Sequence, residues 1–77
     1  MRYRETLTVP VMLDRGATVP LHEQIAGQLG RAVAAGSLAP GTRLPSTRTL
    51  AALLGVSRGV AAAGYDVLMA RGFAEGR

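Results

Sequence analysis

The sequence predicts a mainly α fold: a small helix-turn-helix domain led by a short extended segment. Three observations carry the prediction. In Leu44–Tyr65 (LPSTRTLAALLGVSRGVAAAGY) two helix-start serines, Ser46 and Ser57, stand eleven residues apart with Gly55 as the break between them. A serine oxygen at an N-cap satisfies an amide two or three residues on, so each serine opens a helix. Upstream, Leu21, Ile25, Leu29 and Val33 recur every four residues, which is the apolar stripe of a third helix. Finally, no acid occurs between Gln24 and Tyr65, whereas Arg31, Arg43, Arg48 and Arg58 fall inside that window. The positive charge lies where the helix pair lies.

Taken in chain order, Leu7–Leu13 (LTVPVML) is β-branched and apolar with a proline inside. That pattern suits an edge strand or an extended arm rather than a helix. Asp14–Val19 reads as a loop, and Pro20 opens the first helix at the position where proline is favoured. His22, Gln24, Gln28 and Arg31 are assigned to its wet side, and Gly36 ends it. Ser37–Arg43 is a turn in which Pro40 and Gly41 fit the central positions of type II. Leu38 and Leu44 flank the turn and are expected to pin it to the core. Pro45 forces Leu44 into an extended conformation, so the second helix starts at Ser46, with Leu50, Leu53 and Leu54 apolar and Ala51 and Ala52 open to a close helix crossing. Val56 packs the turn. The third helix starts at Ser57, places Ala61, Gly64, Tyr65 and Leu68 on one face, with Met69 widening it, and ends at Gly72 after Arg71. No internal repeat, low-complexity linker or second domain is apparent.

At 77 residues, one small domain is the limit, and such a chain buries only about 60% of its unfolded surface. Gly27, Gly30, Gly59 and Gly64 fall inside the helices, each costing about 1 kcal/mol relative to alanine. The isolated chain is therefore expected to be weakly folded and to gain order on DNA or on dimerisation. Without cysteine there is neither a disulfide framework nor a thiolate metal site. His22 lacks a second ligand at helical spacing and reads as a surface residue. No apolar run approaches the roughly 20 residues that span a bilayer. Arg2 and Arg4 ahead of Leu7–Leu13 imitate a signal peptide, but Pro10 interrupts the run, Asp14 and Arg15 follow it, and no small-residue cleavage site appears. A cytoplasmic protein with no membrane partner is expected.

All nine basic residues are arginine against five acids, a formal charge of +4 and a pI near 11.2, so nucleic acid is the expected partner class. GC-rich coding bias explains the missing lysine but not the placement of the arginines. Serines without a histidine or lysine base, and scattered carboxylates, offer no catalytic constellation. The chain reads as a binding module, not an enzyme, with no metal and no cofactor.

The runs PLHEQIA (Pro20–Ala26), GSLAPGTRLPSTR (Gly36–Arg48) and LGVSR (Leu54–Arg58) strongly resemble the DNA-binding domain of the GntR family of bacterial transcription regulators, in one register from Pro20 to Phe73. Val60–Gly72, with Tyr65 ahead of an ARGF ending, looks most like the MocR-type branch, and Leu7–Arg15 is similar to that branch's lead-in. The resemblance implies a three-helix winged helix-turn-helix, with residues 1–19 as an N-terminal extended arm and 20–77 as the DNA-binding domain. The chain ends where the family's wing hairpin would form, so a truncated wing is expected. MocR-type members carry an aminotransferase-like domain downstream. Pyridoxal phosphate needs a lysine for its Schiff base, and this chain has none.

The resemblance also implies that the helix beginning at Ser57 enters the major groove of double-stranded DNA. Arg58, in its first turn, is then placed for base edges, where arginine on guanine discriminates by about 1–3 kcal/mol. Arg48 reaches DNA from the preceding helix, with base or phosphate left open. Ser57 is first a cap and second a phosphate contact. Thr47, Gly59 and Val60 line the same surface, Gly59 by letting the backbone approach and Val60 by touching a thymine methyl, or else all three are neutral. Arg43 is a phosphate contact, and Arg31 a solvated residue. Two copies on adjacent half-sites are expected from the family, although no dimer interface is legible. The rival reading is a winged-helix protein-interaction module, or a remnant of a longer regulator that no longer binds DNA; RNA ranks below both, since there are few aromatics to stack bases.

Overall fold

The computed structural model describes residues 10–38 and 44–73. Three helices and no strand are found among them: α1 (Leu21–Ala34), α2 (Thr47–Leu54) and α3 (Arg58–Ala70). The mainly α class is thus as expected. Three expectations, the strand character of residues 7–9, the Pro40–Gly41 turn and the shortened wing after Phe73, lie outside the described residues.

Both serine caps form. Ser46, with extended backbone (φ −60°, ψ 162°), accepts the Thr49 amide at 3.2 Å, and Ser57 (φ −72°, ψ 159°) accepts the Val60 amide at 3.1 Å. At the start of α1 the sequence is off by one position. Pro20 stands outside the helix as its cap (φ −58°, ψ 150°), and its carbonyl accepts from Glu23 and Gln24. A residue without an N–H fits there because no donor is needed.

The helix ends are written into backbone hydrogen bonds. Past α1, Gly36 donates to Val33 and Ser37 to Ala32; past α3, Gly72 donates to Met69 and Phe73 to Leu68. This paired reversal satisfies carbonyls that would otherwise be orphaned. Between α2 and α3, Gly55 adopts φ 68°, a left-handed conformation that a side chain resists, and the chain turns through 114° into α3. That angle falls within the range of helix-turn-helix pairs.

Ile25, Leu29, Leu50, Ala61 and Leu68 are wholly buried, and Leu38 and Ala51 complete the core with them. Each large side chain removed from water contributes about 1.5–3 kcal/mol. Leu38 is therefore pinned as expected, with Leu44 half-buried beside it. α2 departs from expectation. Leu53 is 51% exposed and Ala52 is exposed, while Leu50 and Ala51 face inward. An eight-residue helix has room for only one buried stripe, and the 114° turn aims it at α3 through Leu50 and Ala51.

α3 packs against both α1 and α2, whereas the backbones of α1 and α2 nowhere approach within 8 Å, Cα to Cα. α1 and α3 pack tightly at Gly64, where an added Cβ would lie 3.0 Å from Ile25 Cγ2 and 3.3 Å from the His22 carbonyl oxygen. Gly64 is thus required by close approach, and Gly30 likewise lies under the Phe73 ring. Neither is simply a weak point of a helix, which removes two of the four glycines from the sequence-based case for a weakly folded chain. Arg71, expected only to complement the end of α3, also pairs with Glu23 of α1 at 2.9 Å.

Candidate nucleic-acid interface

The N-terminal turns of α2 and α3 carry the sequence-predicted residues. Ser57, Arg58 and Gly59 are exposed at the start of α3, and Arg48 is exposed in the first turn of α2. Neither Arg48 nor Arg58 forms a hydrogen bond or ion pair with another described residue. Their charge is not spent inside the domain.

The two helix ends reinforce that charge. Neither α2 nor α3 has an acidic residue in its first turn, while α1 has Glu23 in its own. A helix N-terminus carries the equivalent of roughly half a positive charge. Each of these two ends, with an arginine that has no partner among the described residues and no carboxylate in its first turn, is suited to an anion.

Thr47 is half-buried, and Val60 is half-buried with its side chain packed on the core. Val60 therefore divides its surface between the interior and the helix face. Gly59 is open, the nearest atom to a built Cβ being Ser57 Oγ at 3.8 Å. Arg43 lies outside the described residues. Arg31 is exposed on α1, away from the α2 and α3 N-termini in sequence and element.

Several residues that support this surface escaped the sequence reading. Tyr65 donates its hydroxyl to the Pro45 carbonyl at 2.5 Å, tying the middle of α3 to the entrance of α2. Gln24 and Gln28, assigned to the wet side, instead grip the preceding segment. Gln28 accepts from the Met12 amide at 2.8 Å and donates back to its carbonyl at 2.7 Å. Gln24 accepts from the Asp14 amide at 2.8 Å and donates to the Asp14 and Val19 carbonyls at 2.9 and 2.8 Å. Two identical amides four residues apart share one helix face, and that spacing was the available signal. The described part of the expected edge strand or extended arm, Pro10–Leu13, pairs with no other strand among the described residues and is bonded through Met12 to a side chain of α1. Arg15 follows, and its guanidinium donates to the Gly55 carbonyl at 2.8 Å.

Among the described residues no group of three or more His, Asp or Glu side chains is placed to hold a metal ion. No single helix is long and apolar enough to cross a membrane, and the bent pair α2–α3 that matches by length and composition buries Leu50, Ala51, Ala61 and Leu68 in the core.

The family described as "Bacterial regulatory proteins, gntR family" matches residues 21–77. Among curated relatives, the probable rhizopine catabolism regulatory protein MocR of Rhizobium meliloti is 46% identical over 67 residues, 87% of this chain and 14% of that protein. The HTH-type pyridoxine biosynthesis transcriptional regulator PdxR of Corynebacterium glutamicum is 40% identical over 65 residues, 84% of this chain and again 14% of the relative. The HTH-type transcriptional regulator Rv1152 of Mycobacterium tuberculosis is 39% identical over the whole chain, which covers 60% of it. Among solved structures, YtrA from Sulfolobus acidocaldarius, a GntR-family transcription factor, superposes with a TM-score of 0.78 at 37% identity, over 80% of this chain and 66% of that one. The chain thus spans only a small part of the first two relatives. Helix order, the capped 114° pair and these matches agree: the chain belongs to the GntR family of bacterial regulatory proteins, and its three helices are the DNA-binding domain of a transcription regulator.

Proposed function

We propose that the domain binds double-stranded DNA sequence-specifically, with the first turn of α3 in the major groove. The observation that supports this most directly is the pair of exposed arginines, Arg48 and Arg58, without a partner among the described residues and on two N-terminal turns that carry no acid. In this reading Arg58 meets a base edge and Arg48 a base or a phosphate, while the Ser57 hydroxyl lies against a phosphate. Gly59 admits the backbone close to the groove, Thr47 and the exposed part of Val60 border the contact, and Arg43 adds a further phosphate contact.

Residues 20–77 form the DNA-binding unit and residues 1–19 an arm leading into it. Likeness to MocR of Rhizobium meliloti and PdxR of Corynebacterium glutamicum supports placing the chain in the MocR-type branch, as the N-terminal module of a cytoplasmic regulator. Two copies then occupy adjacent half-sites, a geometry common to helix-turn-helix dimers.

The test begins by selecting a duplex from a randomised pool with the unaltered chain, then titrating it by fluorescence anisotropy across a salt series. Arg58→Ala is expected to cost about 1–3 kcal/mol on the selected duplex and to relax preference at one base pair. If Arg48 meets a phosphate, Arg48→Ala weakens selected and random duplexes alike and makes the salt slope shallower by about one. Should both variants bind with unchanged affinity and salt slope, the DNA reading fails and a protein-interaction module takes its place.

A further inference from the structure

We propose that Arg15 is a positioning residue for the recognition helix: held on α1 by two glutamines, it locks the turn between α2 and α3 from outside the helix-turn-helix. The inference rests on the DNA-binding reading for its consequence, but its geometry stands apart from it.

Consider what fixes α2. Its backbone nowhere comes within 8 Å of α1, Cα to Cα, so of the other two helices only α3 lies close against that backbone. The end of α2 nearest the recognition helix is also the end with orphaned carbonyls. Arg15 Nη2 donates to the Gly55 carbonyl at 2.8 Å and lies 3.5 Å from that of Leu54. A cation there also complements the negative end of the α2 dipole. Two residues beyond Gly55 stands Ser57, the cap of α3.

A strut works only if its other end is fixed, and here it is. The backbone of Met12 and Asp14 is held by four amide hydrogen bonds with Gln24 and Gln28, and Gln24 also donates to the Val19 carbonyl. Asp14 Oδ1 accepts from the Gly16 amide at 3.0 Å, and the Asp14 carbonyl from Ala17, which closes the bend that carries Arg15. Val11 and Leu13 pack against the core. A chain of contacts therefore runs from the middle of α1, through residues 11–15, to the hinge of the helix pair. Removing the guanidinium leaves exposed carbonyls that water can satisfy, so the domain keeps its fold while the turn loses its external restraint.

The test has two arms, both on the 77-residue chain, with circular dichroism verifying helix content. In the DNA-free arm, backbone amide exchange is measured by NMR for the unaltered chain and Arg15→Ala. Amides of Leu54, Gly55 and Val56 are expected to exchange about three- to tenfold faster, the range one net hydrogen bond supports, with the α1 amides unchanged. Equal exchange at those three amides would overturn the proposal. In the DNA arm, Arg15→Ala is expected to lose about three- to tenfold affinity for the selected duplex but none for a scrambled one, at an unchanged salt slope. Arg15→Lys, which keeps a donor, restores most of the loss. Gln24→Ala, which frees the strut without removing charge, is expected to reproduce it, and the double variant to bind no worse than the weaker single one. Loss on both duplexes with a slope shallower by about one would make Arg15 a phosphate contact instead, and strictly additive losses would refute the shared path. If the unaltered chain selects no duplex, the DNA reading fails, whereas the exchange arm still decides whether Arg15 holds the turn.

Discussion

Gly64 gives the sharpest test of how the recognition helix is seated. Replacing it with alanine favours the helix by about 1 kcal/mol through propensity. Against that, the new Cβ would lie 3.0 and 3.2 Å from Ile25 Cγ2 and Cβ and 3.3 Å from the His22 carbonyl oxygen. Ile25 is wholly buried and the carbonyl belongs to a helix, so neither neighbour yields without moving α1 off α3. Overpacking of this kind costs about 1–3 kcal/mol. Gly27→Ala supplies the internal control, because its Cβ would meet only the tip of the flexible Arg31 side chain, at 3.5 Å, and so keeps the propensity gain. Gly64→Ala is therefore expected to be about 1–3 kcal/mol less stable than Gly27→Ala. At about 4–8 °C per kcal/mol for a domain of this size, calorimetry or a CD melt resolves the difference. A Gly64→Ala melting point equal to or above that of Gly27→Ala would refute the close-approach account and restore the view that Gly64 is merely a weak helix residue.

Two further substitutions address the helix pair. Ser57→Ala removes the cap and is expected to cost about 1 kcal/mol in a thermal melt. Ser57→Asp keeps a capping oxygen and suits the helix dipole, so stability is expected to hold while affinity for the selected duplex collapses through repulsion from phosphate; tight binding by Ser57→Asp would remove Ser57 from the DNA face. Tyr65→Phe deletes the hydroxyl bonded to the Pro45 carbonyl and leaves that acceptor in a part-buried site, for an expected loss of about 1–2 kcal/mol by denaturant titration. An unchanged midpoint would show that the bond contributes nothing net.

What the sequence displayed well was everything decided within one turn of helix. Ser46 and Ser57 are read correctly because a cap bonds its own chain three residues on, and Gly55 because the left-handed turn is a local demand. That Leu50 is buried while Leu53, equally apolar, is half exposed depends on where α3 crosses, which no spacing within α2 contains. The deeper blind spot is the backbone as a hydrogen-bond partner. Gln24, Gln28, Arg15 and Tyr65 all bond main-chain groups of distant residues, and those groups are the same for every letter of the sequence. Polar residues whose partners are backbone look solvated in a linear reading.

That blind spot bears on what counts as the site. Judged by side chains, the interface is Ser57–Val60 with Arg48, and residues before Pro20 are an appendage. Judged by hydrogen bonds, residues 11–15 are woven into α1 and into the hinge that aims α3. In the proposed reading the outward arginines supply attraction to DNA, yet attraction is sequence-blind; selectivity needs base-reading atoms held in fixed register. In a domain whose α2 backbone lies close to α3 and not to α1, an inward-bonded arginine at the hinge would, in the proposed reading, bear on that register as directly as an outward-facing one bears on affinity.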